Sequence, residues 1–138
     1  MQTMNSKLVL AARILLGLVF FVFGLNFFLH FIPQPPMPEA AGAFAGAMFA
    51  TGYLFVLLKV VEVASGLLLL SGRFVPLALA LLAPIVVNIV LFHAFLAPAG
   101  IAVPLLVLAL ELFLAWSYRS AYRPMLAARV APGDVKAT

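Results

Sequence analysis

The chain alternates long apolar segments with short polar or proline-rich breaks. The apolar segments cover about residues 8–31, 53–70, 74–96 and 101–118. Each is close to the roughly 20 residues that an α-helix needs to cross the hydrocarbon core of a bilayer. A helix that is apolar on all sides is typical of a lipid environment. The pattern therefore predicts an all-α integral membrane protein, a four-helix transmembrane bundle that forms a single domain over residues 1–138, with a polar tail at 119–138.

The longest break predicts an additional short helix between the first and second spans. Prolines in IPQPPMPEA (32–40) end the first span, because proline lacks an amide donor and fixes its own φ. AAGAFAGAMFATG (40–52) has good helical propensity but is too short to cross a bilayer. We expect it at the membrane interface or against the bundle. Its spacing of Gly42 and Gly46 also fits a helix-packing motif, although small residues in a connecting helix are the simpler interpretation.

Composition and charge narrow the class of protein. Hydrophobic residues make up 67% of the chain, against about 45–50% in soluble domains. With eight Lys and Arg in all, the chain has no nucleic-acid footprint. The absence of cysteine excludes disulfides and thiolate chemistry.

The basic residues instead predict orientation. One side of the predicted bundle carries both termini and the Ser-Gly-Arg turn at 71–73, where Gly72 is expected at positive φ. Six basic residues lie on that side: Lys7, Arg13, Arg73, Arg119, Arg123 and Arg129. The opposite loops, 32–52 and 97–100, have none. The positive-inside rule then places both termini in the cytoplasm.

Several polar side chains interrupt the spans. Three lie about 13–15 Å from the outer end of their spans, near the middle of the bilayer. They are Glu62, Asn88 and Glu111. Four more lie closer to the outer face: Asn26, His30, Lys59 and His93. Because a charge at the bilayer centre costs about 2.5–3.5 kcal/mol on insertion scales, such groups pair or face a cavity. Lys59 and Glu62 share one helix face, so they predict either a pair that only fixes packing or part of a polar pocket opening outward.

Helical spacing gives different expectations for the other polar residues. Asn26 and His30 are four apart and should face together. Asn88 and His93 are five apart, about 140° around a helix, so one of them should face headgroups or a neighbouring subunit. A haem held by His30 and His93 is geometrically conceivable, but no metal site is predicted.

Two carboxylates at a similar depth suggest proton chemistry. Like charges held close cannot both ionise easily, so a carboxyl in such a pair can exchange protons. We therefore take Glu62 and Glu111 as candidate catalytic residues. The candidate ligand-binding residues are Asn26, Lys59, Asn88 and His93, with Lys59 and His93 expected to donate hydrogen bonds to carbonyl oxygens.

Several stretches in order resemble the DoxX family of small bacterial membrane proteins. They include RILLGLVFFVFGLN, KVVEVASGLLLLSGRFVPLAL, APIVVNIVLFHAFL and ELFLAWSYRSAYRPML. The resemblance implies four transmembrane helices in the bacterial inner membrane. It also implies a loose association with membrane redox systems, including thiosulfate:quinone oxidoreductase subunits. Quinone is then a possible ligand, and no other cofactor is evident.

Three functions remain open on this basis. The chain is expected to act as a quinone- or lipid-like-ligand subunit that receives electrons from a soluble or membrane redox partner. Alternatively, it is a non-catalytic assembly subunit that forms homo-oligomers or joins a larger complex. The third possibility is a small transporter or proton pathway. All three require the lipid bilayer as a partner, and none requires nucleic acid.

Overall fold

The computed structural model describes residues 5–133, which are helical and contain no strand. The α-helices are α1 (Ser6–Leu29), α2 (Glu39–Ala50), α3 (Leu54–Ser71), α4 (Val75–Leu96) and α5 (Ala102–Ser117). Single 3-10 turns lie at Pro98–Gly100 and Arg119–Tyr122. The all-helical prediction is confirmed, and the helices begin and end close to the predicted segments.

Three of the helices are long and apolar enough to cross a membrane. They are α1 with 24 residues, α3 with 18 and α4 with 22, and their mean hydropathies are 2.6, 2.1 and 2.6. Helix α5 is equally apolar in character but has 16 residues. Large hydrophobic side chains such as Leu67, Leu91 and Leu106 are exposed on the outside of the helices. Such a surface suits lipid rather than water.

The helices form a ring in which α1 packs on α3, α3 on α4, α4 on α5, and α5 on α1. Helices α3 and α5 therefore lie diagonally across the bundle. The core between them is made of buried aliphatic and aromatic side chains, among them Leu16, Phe20, Leu69, Leu82 and Leu114. Helix α2 lies outside the ring against α3 and α4. The short helix expected between the first two long segments is thus present and packs on the bundle.

The contact between α1 and α3, which we call the glycine seam, is unusually close because Gly17, Gly24 and Gly66 lie in it. A Cβ atom at Gly66 would stand 2.6 Å from the backbone nitrogen of Phe21 and 2.9 Å from the carbonyl oxygen of Gly17. Only glycine lets two helix backbones approach to this distance. The glycine seam sets how α3 is rotated in the bundle, and hence where its polar side chains point.

The turn after α3 has the predicted form. Gly72 has φ 74°, and its amide donates to the carbonyl of Leu68. The guanidinium of Arg13 packs against Gly72, and its Nη1 donates to the carbonyl oxygen of Leu69 over 2.8 Å. We call the end of the bundle that holds this turn, the start of α1 and the end of α5 the terminal end, and the other the α2 end.

Candidate functional site

A cavity of about 640 Å³ lies between the long helices and is closed on one side by α2. Most of its walls are apolar, with aromatic rings from Phe20, Phe23, Phe44, Phe55 and Phe92. The rings of Phe44 on α2 and Phe92 on α4 lie 5.8 Å apart, which ties the short helix to the bundle. Four polar side chains line the same space: Lys59, Glu62, Asn88 and His93.

The centre of the polar group is an ion pair between neighbouring turns of α3. Nζ of Lys59 lies 3.0 Å from Oε2 of Glu62. The side chain of Glu62 is 7% exposed and that of Lys59 is 22% exposed. The predicted common face of these residues is confirmed. It is the only ion pair among residues 5–133, and both of its side chains line the cavity.

His93 presents a hydrogen-bond acceptor to the cavity rather than the expected donor. Its Nδ1 lies 2.8 Å from the carbonyl oxygen of Ile89. A carbonyl oxygen can only accept, so Nδ1 carries the proton, and Nε2 of the neutral ring has a free lone pair. In this tautomer the neutral ring offers an acceptor to a ligand, and the expected donor role of His93 stays a prediction.

Asn88 and His93 both line the cavity, although their spacing predicted different directions. The reason is the width of the α4 face that borders the space. That face runs from Pro84 to His93, with Ile85 and Ile89 between them. At 100° per residue these positions span about half the circumference of the helix, and Asn88 and His93 lie near its two edges. The expectation that one of them faces away is corrected.

Asn26 serves the chain's own backbone instead of the cavity. Its Oδ1 accepts from the amide of Ile32 over 2.6 Å, and its Nδ2 donates to the carbonyl of Ile32 over 3.1 Å. Asn26 is buried, whereas His30 is exposed. Helix α1 ends at Leu29 and His30 has φ 52°, so His30 lies just outside the helix. The common face predicted from helical spacing therefore does not form. Neither residue lines the cavity.

Glu111 is buried on the diagonally opposite helix and does not line the cavity either. Its Oε2 has no hydrogen-bond partner among residues 5–133. Burial raises the pKa of Tyr122 beyond the end of α5, and the carboxyl of Glu111 raises it further. Glu111 thus acts electrostatically on the terminal end, and the structure does not bring the two predicted catalytic carboxylates together in the cavity.

The histidines do not form a common site. His93 is in the cavity and His30 is outside it. Between residues 5 and 133, no group of three or more His, Cys, Asp or Glu side chains is placed to hold a metal ion. The two histidines thus share no cavity in the described chain, and a haem between them stays an untested hypothesis.

Sequence patterns did not identify the apolar wall of the cavity. Phe44 and Met48 come from α2, and Pro104 and Val107 from α5. In the sequence, apolar residues that face a cavity look the same as those that face lipid. The only feature of the sequence that indicated this wall was the predicted short helix, because its apolar side chains must pack against the bundle or against lipid.

Comparison with curated proteins and with solved structures gives no match. Comparison with family models gives one, DoxX, over residues 8–95. The matched residues are more than half of the chain and include nearly all of α1 to α4, with the Lys59–Glu62 pair and the α4 face of the cavity. The resemblance suggested by the sequence motifs is confirmed, and the chain belongs to the DoxX family.

Proposed function

We propose that this DoxX-family protein crosses the bacterial inner membrane four times, with both termini in the cytoplasm, and binds a quinone or lipid-like ligand in the cavity. The ion pair of Lys59 and Glu62 in an otherwise apolar cavity is the observation that carries the proposal. Three spanning helices and the apolar α5 support the topology. The concentration of basic residues at the terminal end supports the orientation.

The cavity fits such a ligand in size and chemistry. Ligand pockets commonly measure about 300–1,000 Å³, with apolar walls and a few polar groups. The Lys59 ammonium has three N–H donors, of which the described contacts use one, toward Glu62. The remaining donors suit a carbonyl oxygen, and the phenylalanine walls suit a ring and an isoprenoid tail.

The polar side chains would then have separate roles. Lys59 donates to a carbonyl of the oxidised ligand, and Nε2 of His93 accepts from a hydroxyl of the reduced one. Reduction of a quinone to a quinol takes up two electrons and two protons. The electrons come from a partner redox protein, and Glu62 transfers protons. Glu111 does not line the cavity, so of the two carboxylates we assign contact with the ligand to Glu62 only.

The test is co-purification of the ligand. The protein is purified in mild detergent, extracted, and analysed by absorption and mass spectrometry for quinones and other lipid-like molecules. We expect a stoichiometric ligand in the wild type and a loss of at least about tenfold in Glu62→Gln, because the charge-assisted contact that holds the donor Lys59 in the cavity is removed. Glu39→Gln is the matched control, since Glu39 is exposed on α2 and does not line the cavity. Equal ligand content in both variants would contradict the proposed site.

An assembly role is the second candidate, and α2 supplies the observation in its favour. A Cβ atom at Gly42 or Gly46 would meet nothing within 4 Å, so the small-residue face of α2 is unoccupied within the described chain. If assembly is the function, Gly46→Leu lowers the molecular mass of the complex measured by light scattering in detergent. Glu62→Gln then leaves that mass unchanged, and no ligand is found.

A further inference from the structure

A second concave region, of about 610 Å³, lies at the terminal end of the bundle, far along the helices from the ligand cavity. It is bordered by the first turns of α1, by Gly72 and by the end of α5. We call it the terminal cleft. Its polar lining consists of Ser6, Arg13, Ser117, Tyr118 and Arg119.

The terminal cleft is positively charged without a compensating carboxylate in the described chain. The acidic side chains between residues 5 and 133 are Glu39, Glu62 and Glu111, and none lines it. Arg13 and Arg119 are always protonated in proteins. Further basic residues flank the same end, including Lys7 and Arg73. Such a cleft concentrates anions by its field.

The two guanidinium groups are held in place by contacts that leave most of their donors available. Arg13 uses Nη1 for the carbonyl of Leu69, and Arg119 uses Nη1 for the carbonyl of Trp116, each over 2.8 Å. A guanidinium has five N–H donors, so these single bonds orient the groups without saturating them. Paired forks of this kind match the oxygens of a phosphate.

One edge of the terminal cleft is apolar, which selects the source of the phosphate. Val9 and Leu10 line it, and Leu10 is half exposed. Trp116 is exposed beside it, with the guanidinium of Arg119 stacked 4.4 Å above the ring. An ionic site bordered by apolar and aromatic surface fits a headgroup with acyl chains attached. Free phosphate would gain nothing from the apolar edge.

We infer that the terminal cleft binds the phosphate of an anionic phospholipid, with Arg13 and Arg119 as its ligands. This site is separate from the ligand cavity and does not depend on what that cavity binds. It also gives the basic terminal end a defined contact with a lipid, beyond general attraction to an anionic membrane surface.

Trp116 is the only tryptophan of the chain, so its fluorescence reports directly on this site. The full-length protein is reconstituted in phosphatidylcholine vesicles that contain equal fractions of brominated phosphatidylglycerol or brominated phosphatidylcholine. Bromine quenches a tryptophan with which the lipid is in contact. We expect the brominated anionic lipid to quench Trp116 more efficiently in the wild type. In Arg119→Gln this preference should fall about fivefold, as for the loss of one basic contact with an anionic lipid.

Two controls decide the outcome. Arg129→Gln removes the same charge from the same end but outside the terminal cleft, and should keep the preference. Arg13→Gln should lose it, provided that circular dichroism shows unchanged helix content. An equal loss in Arg129→Gln would reduce the effect to surface charge and overturn the site. Equal quenching of the wild type by the two brominated lipids, together with a change in Trp116 fluorescence on addition of millimolar inorganic phosphate, would show that the cleft takes free phosphate, which overturns the lipid.

Discussion

Helix α3 has two contrasting sides. On the side that faces α1, Gly66 lets the two helix backbones come into contact. On the side that faces α2 and α4, Lys59 and Glu62 border a cavity of about 640 Å³. The first side has no room for a methyl group, and the second has room for a ligand. The difference shows how a small bundle can hold a charged pair in an apolar setting. The rigid glycine seam fixes the rotation of α3, so the pair cannot turn toward lipid.

The largest effect should follow from adding a methyl group inside the glycine seam. In Gly66→Ala the new methyl group would meet the backbone of Phe21 and of Gly17, which cannot move aside as a side chain can. We expect a loss of about 3 kcal/mol in the free energy of unfolding, at the upper end of overpacking effects. Titration with a denaturing detergent, followed by circular dichroism, measures it. Wild-type stability in this variant would mean that the helices are not in close contact.

A smaller effect should come from breaking the ion pair. Lys59→Met leaves Glu62 buried without its partner, and we expect a loss of about 2 kcal/mol, lessened by the partial exposure of Lys59. The double variant Lys59→Met, Glu62→Met should recover most of that stability, because no buried charge remains unpaired. The same unfolding assay compares the two. If the double variant is clearly less stable than the wild type, the attraction within the ion pair stabilises the fold by more than the desolvation of its two charges costs.

Gly24→Ala tests whether the glycine seam is equally rigid along its length. The added Cβ would lie 2.7 Å from Cγ2 of Val63, a side-chain atom, and 3.3 Å from the backbone nitrogen of that residue. Because the nearest atom can move with its side chain, we expect a cost of about 1 kcal/mol, below that of Gly66→Ala. An equal loss of unfolding free energy in Gly24→Ala and Gly66→Ala would indicate that the glycine seam is equally rigid at both positions.

Gly46→Ala should have the smallest effect and serves as the matched control for the glycine seam. Apart from the backbone of its own helix, nothing in the described chain lies within 4 Å of the added methyl group, and alanine favours a helix over glycine. We expect no loss of unfolding free energy, and a gain of at most about 1 kcal/mol. A fall in the mass of the particle in detergent, with unchanged unfolding, would instead identify α2 as an interface between copies.

The helices and the ion pair could be predicted from sequence patterns, because both depend on local spacing. Apolar runs of spanning length predict α1, α3 and α4, and a spacing of three residues predicts that Lys59 and Glu62 share a face. The glycine seam could not be predicted in this way, since a small residue such as Gly66 fits several packing partners. Its role depends on which helix lies opposite, and the structure shows that this helix is α1.

The remaining polar residues were harder to assign because their roles depend on the path of the chain. Asn26 binds the backbone of Ile32, which requires the loop to fold back over the end of α1. Nδ1 of His93 contacts the carbonyl of Ile89 on its own helix, so only one ring nitrogen is left for a ligand. Glu111 was expected at the same depth as Glu62, but it belongs to the diagonal helix and does not line the cavity. The depth of a side chain in the membrane can be predicted by counting residues along its helix. The direction in which it points depends on which helices pack beside it, and the sequence pattern does not show this.

The turn between α3 and α4 also limits which sequences this fold can accept. Gly72 is constrained twice: its φ of 74° disfavours any side chain, and the guanidinium of Arg13 occupies the place of a Cβ atom. A shorter residue at position 13 would relieve the collision but not the backbone strain, and it would release the carbonyl of Leu69. No single compensating change restores both. In a library of substitutions, position 72 should therefore be among the least tolerant of the chain, although it lies on the surface and in a loop.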